Sequence, residues 1–341
     1  MNRFHTYHNQ DVNPINTRLK ANPAMLSPSQ IDHFNRDGYL IVEDVFSQQD
    51  TLGPVRAEYQ ALLSSLISDW VSEGRMDSLP ADADFYTQLK LAYQAGCDWF
   101  QPLDISLPGD RITSQTPMHF GPAVFTMLTD SRLLDCVESL LGPELTSNPI
   151  QHVRLKPPAP LLYQDEVRAH ITRTDWHQDR GVAHAEADQT KMVTVWIAVT
   201  DATVDNGCLQ VIPKTADQAL LPHCPKTQTA IADPFIDEAK AVPLPVKSGG
   251  IVLLDPLVPH SSLPNLTDEF RWSFDIRFNR TGDPTGRSHF PDFIARSRAH
   301  PDAELKDWRA WRTMWEQART QLAGETHIPI HRWGSDAPFC A

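Results

Sequence analysis

The residues best suited to metal chemistry lie in the segment TDWHQDRG, residues 174–181. In extended backbone, residues i and i+2 point to the same side, so His177 and Asp179 can present an imidazole nitrogen and a carboxylate to one point. A single His-x-Asp is also typical of a capped turn, so the pattern needs a third ligand. His260 is the candidate, because it ends the apolar run GGIVLLDPLVPH at residues 249–260.

Two imidazoles and one carboxylate form the facial triad of non-haem Fe(II) oxygenases. The sequence therefore predicts that His177, Asp179 and His260 are the metal ligands and the catalytic centre. About three coordination positions stay open in such a triad. A bidentate 2-oxo acid would fill two of them and leave one for O2.

A co-substrate with a second carboxylate needs a fixed cation, and the run FRWSFDIRFN at residues 270–279 offers two. Strand alternation separates Arg271 and Arg277, on a polar face, from five large apolar residues on the other face. Arginine is suited to the role because its planar fork pairs with a carboxylate through two hydrogen bonds. The plain alternative for either residue is an ordinary surface arginine.

The elements that must position these residues are mainly β. Helices are predicted from Ser27 to Gly38, over residues 50–73 and after Asp130, whereas residues 74–125 show no clear pattern. From residue 146 to residue 280, short apolar runs alternate with Pro, Gly, Asn and Asp, which is typical of a sandwich or jelly-roll. Strands are predicted at 150–155, 192–200, 208–212, 250–254 and 270–278.

A final helix is predicted over residues 302–323, with Trp308, Trp311 and Trp315 on one face. We interpret this face as a docking stripe against the barrel or a partner subunit, with a ligand platform as the alternative. The sequence thus leaves a monomer and a homodimer open.

Composition limits the partners. The chain has 341 residues with 30 Lys and Arg against 43 Asp and Glu, a net charge of −13, which argues against binding nucleic acid or an anionic membrane surface. Its 28 prolines favour turn-rich β structure. Five cysteines without a CxxC pair predict reduced thiols, and the N-terminal residues lack the apolar segment of a signal peptide, so we expect a cytoplasmic protein.

Several motifs in order resemble the phytanoyl-CoA dioxygenase family of Fe(II)/2-oxoglutarate oxygenases. They are LSPSQIDHFNRDGYLIVEDVF at 26–46, RLKPP at 154–158, the His-x-Asp pair, NGCLQVIP at 206–213, and HSS at 260–262 followed by an arginine eleven positions after that histidine. The similarity spans roughly residues 26–280. It implies a double-stranded β-helix, that is a cupin-like jelly-roll with flanking helices.

The resemblance also implies roles for single residues. Iron would be held by His177, Asp179 and His260, and the C5 carboxylate of 2-oxoglutarate by Arg271 with help from Ser262. Trp196 and Gln151 would line the co-substrate pocket. Because Asp179 is a carboxylate and leaves no site for halide, hydroxylation or a related oxidation is expected rather than halogenation. Candidate substrate contacts are His152, Arg154 and Arg277, with Arg277 predicted to bind an anionic group on a small metabolite.

The domain organisation expected from these patterns is a polar tail over residues 1–25, a dioxygenase domain over 26–290 and a helical extension over 291–341 packed on that domain. Two other functions remain open. One is a cupin-like barrel that holds zinc or another divalent ion for a non-oxidative reaction, and the other is a binding module without catalysis.

Overall fold

A computed structural model describes residues 25–109, 111–162, 171–172, 174–226, 228–325, 330, 332–334 and 336–340. The predicted polar tail over residues 1–25 lies almost wholly outside the described residues. Among the described residues, no helix is long and apolar enough to cross a membrane.

Eight α-helices are described, and six of them precede residue 144. Ser27 begins α1 through a capping box with Gln30, and Gly38 ends it in the left-handed conformation with φ 81°. The segment 74–125, where the sequence shows no clear pattern, contributes three short helices. The helices are α1 Pro28–Asp37, α2 Gly53–Ser72, α3 Phe85–Gln94, α4 Phe100–Leu103, α5 Pro122–Leu128, α6 Ser131–Leu141, α7 Asp179–Val182 and α8 Trp308–Leu322.

The strands form three antiparallel sheets in the described part of the chain. A six-stranded sheet has the order β1-β8-β3-β10-β2-β11, a smaller one the order β7-β4-β9, and β5 pairs with β6. The strands are β1 Tyr39–Val42, β2 Glu144–Lys156, β3 Met192–Ala198, β4 Leu209–Val211, β5 His223–Pro225, β6 Thr229–Ile231, β7 Val242–Leu244, β8 Ile251–Leu254, β9 His260–Ser262, β10 Arg271–Arg280 and β11 Phe293–Ser297. Each predicted strand is present, with β2 starting six residues earlier than predicted.

The two faces of the six-stranded sheet have different partners. Val193, Val195 and Phe274 belong to the larger apolar cluster, which also contains the buried faces of the helices. Trp196 and Leu209 belong to a second cluster that lies between this sheet and the three-stranded one. Helices therefore cover one face of the large sheet, and the small sheet covers part of the other.

The tryptophan face of α8 docks on its own chain. Trp311 and Trp315 are buried, and Phe120 packs edge-on against the first indole and stacks on the second. Trp308 is only half-buried. The interpretation as a docking stripe holds, and the ligand platform is excluded for the two buried indoles because aromatic side chains already cover them.

The prediction of five reduced thiols is wrong for one pair. Cys224 on β5 forms a disulfide with Cys340, 116 residues away. Cys97, Cys136 and Cys208 are free and buried. A disulfide between such distant positions depends on the tertiary fold, so neither the count nor the spacing of the cysteines could reveal it.

Candidate active site

The two predicted histidine ligands are neighbours across a β-bridge. The backbone N–H of each donates to the carbonyl of the other, at 3.0 Å from His177 and 2.9 Å from His260. His260 begins β9, and His177 extends the small sheet by one pairing. Their ring centroids lie 4.1 Å apart, so the sheet itself brings the two imidazoles together.

The third ligand follows from a local change in the backbone. Gln178 is extended, and Asp179 is the first residue of α7, so its carboxylate turns back toward the histidines. The Nε2 atom of His177 and that of His260 each lie 3.8 Å from one oxygen of Asp179. The three ligand atoms are all within 4.8 Å of one another, and all three residues are buried.

Hydrogen bonds select the tautomer that a metal requires. His177 Nδ1 lies 2.8 Å from the carbonyl of Asp175, and His260 Nδ1 lies 3.1 Å from the carbonyl of Val258. A carbonyl only accepts, so each Nδ1 carries a proton, and the Nε2 atoms are the ones directed toward Asp179, where a metal would bind. Burial, with His260 close by, lowers the pKa of His177 to about 3, so the ring is neutral at physiological pH.

The carboxylate is held in its ionised form. Burial alone would raise the pKa of Asp179, but Arg277 and the two histidines together hold it well below its usual range. Arg277 donates from Nη2 to Asp179 Oδ1, and Thr194 donates from Oγ1 to Oδ2 at 2.5 Å. Arg277 and Thr194 are themselves partners across β10 and β3. Two imidazoles and one oriented carboxylate are a donor set suited to Fe(II).

A narrow inner cavity lies beside the triad, lined by His177, His260, Trp196, Ser262 and Arg271 among others. Arg271 is 2% exposed, and its guanidinium lies 5.2 Å from the centroid of the Trp196 ring. It donates from Nη1 to Ser273, its Nε has no hydrogen-bond partner, and no carboxylate of the described residues pairs with it. Burial, with Arg154 close by, lowers its pKa to about 9.

These features fit the distal carboxylate of a 2-oxo acid. The Ser262 hydroxyl accepts from Lys156 Nζ at 2.6 Å and from the Thr174 amide at 3.0 Å. The inner cavity has a volume of about 30 Å³, room for a few water molecules at most, so the lining side chains must move for a dicarboxylate to enter.

An outer cavity of about 580 Å³ shares His177, Arg154 and Arg277 with the inner one. His152 lines it and pairs through Nδ1 with Asp104 at 2.9 Å. Arg154 pairs with Asp275 at 2.7 Å. Arg277, predicted to bind substrate, lines this cavity, and its guanidinium pairs with Asp179 and donates to the carbonyl of Ile150.

Gln151 is not brought to either cavity. Its amide donates to the carbonyl of Ile105 at 2.7 Å, because the alternation of β2 directs it away from the face that carries His152 and Arg154. Three buried residues of the site were not predicted: Thr194, Lys156 and Arg287. Thr194 could have been found from its position two residues before Trp196, which would put both side chains on one face. Lys156 lies within the RLKPP segment at 154–158, whereas nothing in the sequence around Arg287 distinguishes it from an ordinary surface cation.

Comparison with known proteins decides the family. Residues 34–273 match the family described as Phytanoyl-CoA dioxygenase (PhyH). This chain belongs to the phytanoyl-CoA dioxygenase family. It is a 2-oxoglutarate-dependent oxygenase of that family. The predicted iron ligands His177, Asp179 and His260 form a cluster that could hold a metal ion.

The relatives cover most of this chain. The rat phytanoyl-CoA dioxygenase domain-containing protein 1 is 25% identical over 271 residues, 74% of this chain and 89% of the relative. A methylphosphonate hydroxylase of Gimesia maris is 23% identical over 278 residues, 81% of this chain and 90% of the relative. A solved structure described as a non-heme monooxygenase, ThoJ in apo form, superposes with a TM-score of 0.52 at 20% identity, covering 86% of this chain and 98% of that chain. That superposition supports the fold alone.

Proposed function

We propose that this family member hydroxylates a C–H bond of a small metabolite. Per turnover, the substrate, O2 and 2-oxoglutarate would give the alcohol, succinate and CO2. One atom of O2 would enter the alcohol and the other would enter succinate. When bound, the iron and the 2-oxo acid supply the oxidising chemistry. The observation that carries the proposal is the pairing of a buried His-Asp-His cluster with a buried arginine that has no carboxylate partner among the described residues.

The chain's own residues would divide the work. His177 and His260 offer Nε2 lone pairs, while Arg277 and Thr194 hold the Asp179 carboxylate in place. Ligands that are held in place in this way lose little entropy when a metal binds, and they favour one coordination geometry.

Co-substrate binding would fall to the inner cavity. Arg271 would pair with the distal carboxylate of 2-oxoglutarate, Ser262 would donate to it, and Trp196 would hold the guanidinium plane. A carboxylate here would give the Arg271 Nε its missing partner and neutralise a charge that is costly to bury.

The outer cavity would take the substrate. Its volume is in the range of sites that bind small molecules. His152 and Arg154 line it, and we propose that both contact the substrate. The name of the Gimesia maris relative, a methylphosphonate hydroxylase, gives a small anion as the substrate of that enzyme and agrees with an anionic substrate here.

The proposal extends to the architecture. The two facing sheets would be the two halves of a jelly-roll, cupin-like core within residues 26–290. The extension over 291–341 would pack on it, supported by the contacts of α8 with Phe120.

Anaerobic addition of Fe(II) and 2-oxoglutarate tests the function. The expected result is a weak visible charge-transfer band that is lost in His177→Ala and kept in His33→Ala, a change on the surface of α1. A zinc-dependent barrel or a non-catalytic binding module would give no such band with iron bound, and that result would overturn the oxygenase mechanism. Succinate release across small carboxylates, phosphonates and their neutral analogues would then identify the substrate class.

A further inference from the structure

The charges of the outer cavity are strongly unbalanced. Among the described residues that line it, Asp104 is the sole carboxylate, whereas four arginines line it: Arg111, Arg154, Arg277 and Arg287. Asp104 is already occupied, because its oxygens accept from His152 and from the backbone amides of Ile105 and Val153. Among the described residues that line the cavity, arginines therefore outnumber carboxylates, although the whole chain carries a net charge of −13.

Two of these arginines are neutralised within the protein. Arg154 pairs with Asp275, and Arg277 pairs with the metal ligand Asp179. A guanidinium that is paired with a buried carboxylate has little charge left for a ligand, and removing it would leave that carboxylate uncompensated. Arg154 can therefore contact a substrate without supplying an uncompensated charge, and Arg277 supports the metal ligand.

Arg287 differs from them. It is 6% exposed and donates from Nη1 to the carbonyl of Gly286 at 3.1 Å and from Nη2 to the carbonyl of Val182 at 2.8 Å. Both hydrogen-bond partners are neutral. Glu186 acts on the guanidinium from beyond ion-pair distance, and no carboxylate in the described part of the chain forms an ion pair with it. Burial, with Arg277 close by, lowers its pKa to about 10, so the side chain stays charged at neutral pH.

A purely structural role does not account for the charge of Arg287. A neutral amide could tie the backbone of Gly286 to that of Val182 without placing a cation in a poorly solvated position. Burial of an unpaired charge costs free energy, and an anionic ligand would recover it through charge-assisted hydrogen bonds. Arg287 also lies close to the reaction centre, since Val182 ends the short helix that begins with Asp179.

Apolar side chains also line the cavity, so a ligand bound there would have an apolar body next to its charged group. Leu107, Phe290 and Ile330 line the same cavity, and its metal side is closed by His177. A ligand with a charged end at Arg287 would thus lie along apolar side chains, with its carbon chain directed to the triad.

We infer that Arg287 is the anchor for an oxyanion group of the substrate, a carboxylate or a phosphonate on an apolar carbon chain. The inference rests on the proposed function and makes it specific, since it assigns the anion to Arg287 instead of Arg277. Binding of the oxyanion end of the substrate by Arg287 would place the reacting C–H bond at the triad. It would also exclude neutral analogues of the same shape.

Binding of matched probes to the Fe(II)- and 2-oxoglutarate-loaded protein under anaerobic conditions tests the inference. The probes are hexanoate, hexylphosphonate and the neutral hexanamide, titrated by calorimetry while the visible band reports the metal centre. The wild-type protein should bind the two anions at least ~10-fold more tightly than the amide. Arg287→Gln should weaken binding of the anions by ~10- to 100-fold and leave that of the amide and the band unchanged.

Two further variants separate charge recognition from structure. Arg287→Lys keeps the positive charge but lacks the planar guanidinium group. Its ratio of anion affinity to amide affinity should lie within ~10-fold of the wild-type ratio. Arg296→Gln removes a buried arginine outside both cavities, and its preference should equal that of the wild type.

Three results would overturn the inference: equal binding of acid and amide by the wild type, no binding of the anions, or equal losses for all probes in Arg287→Gln. Absence of the band in the wild type would instead refute the proposed function, because the calorimetric preference is measured independently of it.

Discussion

Replacing Arg271 by methionine should have opposite effects on stability and on co-substrate binding. Methionine fills a similar volume without a charge. In the ligand-free protein, the substitution removes a buried cation that has no carboxylate partner among the described residues. In the presence of 2-oxoglutarate, it removes the group that we propose to bind the distal carboxylate.

The magnitudes follow from the contacts. A pKa of about 9 instead of 12.5 means that the folded state disfavours the charged form of Arg271 by ~5 kcal/mol. The variant loses the hydrogen bond to Ser273, worth ~1 kcal/mol, and the cation–π contact with Trp196, worth up to ~2 kcal/mol. The free energy of unfolding without ligand should therefore rise by ~2 kcal/mol. Loss of a two-bond carboxylate pair should weaken 2-oxoglutarate binding by ~100-fold or more.

The assay combines urea unfolding followed by tryptophan fluorescence with a 2-oxoglutarate titration of the visible band. Arg296→Met is the matched control, because Arg296 is similarly buried but pairs with Asp135 and Glu138. Breaking those pairs should destabilise the protein by ~3 kcal/mol and leave 2-oxoglutarate affinity unchanged. If Arg271→Met destabilised the ligand-free protein as the control does, and 2-oxoglutarate affinity fell less than ~10-fold, Arg271 would be a structural residue and the reasoning would be refuted.

Three other predictions concern the supports of the site. Thr194→Val removes a hydrogen-bond donor to Asp179 and should weaken metal affinity by ~10-fold. A competition titration with a chelating dye measures this affinity. An unchanged value would show that Thr194 does not support the metal ligand. Reduction should lower the melting temperature of the wild type but not that of Cys340→Ser. The disulfide between Cys340 and Cys224 closes a loop of 116 residues and should stabilise the folded state by ~4 kcal/mol. An equal change in melting temperature for both proteins would contradict the disulfide. Burial lowers the pKa of His223 to about 4, so its contribution to stability is complete above pH ~6.5 and is lost as the pH falls toward 4. His223→Gln should therefore flatten the decline of the unfolding free energy between pH 7 and pH 5, and an unchanged slope would refute this.

Local sequence patterns predicted the parts of the site that depend on the two-residue alternation of strands and on side-chain chemistry. The alternation of residues 270–279 predicted a polar face, and the structure buries Arg271, Ser273 and Arg277 together beside the triad. The i+2 spacing predicted that His177 and Asp179 would face one point, although the second residue starts a helix instead of continuing a strand.

Two residues make contacts that were not anticipated from the sequence. Gln151 was expected in the co-substrate pocket, but strand alternation places it on the face of β2 opposite His152 and Arg154, where its amide donates to the carbonyl of Ile105. Arg277 was expected to bind substrate, but the fold places Asp179 against it from 98 residues away. A local pattern cannot reveal which distant residue will pair with a charge.

The sequence by itself determined which atoms are available: two imidazoles, one carboxylate, the arginines of one strand face, and strands of the right period to present them. Tertiary structure decided which charges are compensated. Arg154 and Arg277 find carboxylates, whereas Arg271 and Arg287 are buried with neutral partners. The physical reason is that desolvation and pairing depend on where distant segments meet, and these two terms together determine whether a buried cation supports the scaffold or can bind a ligand.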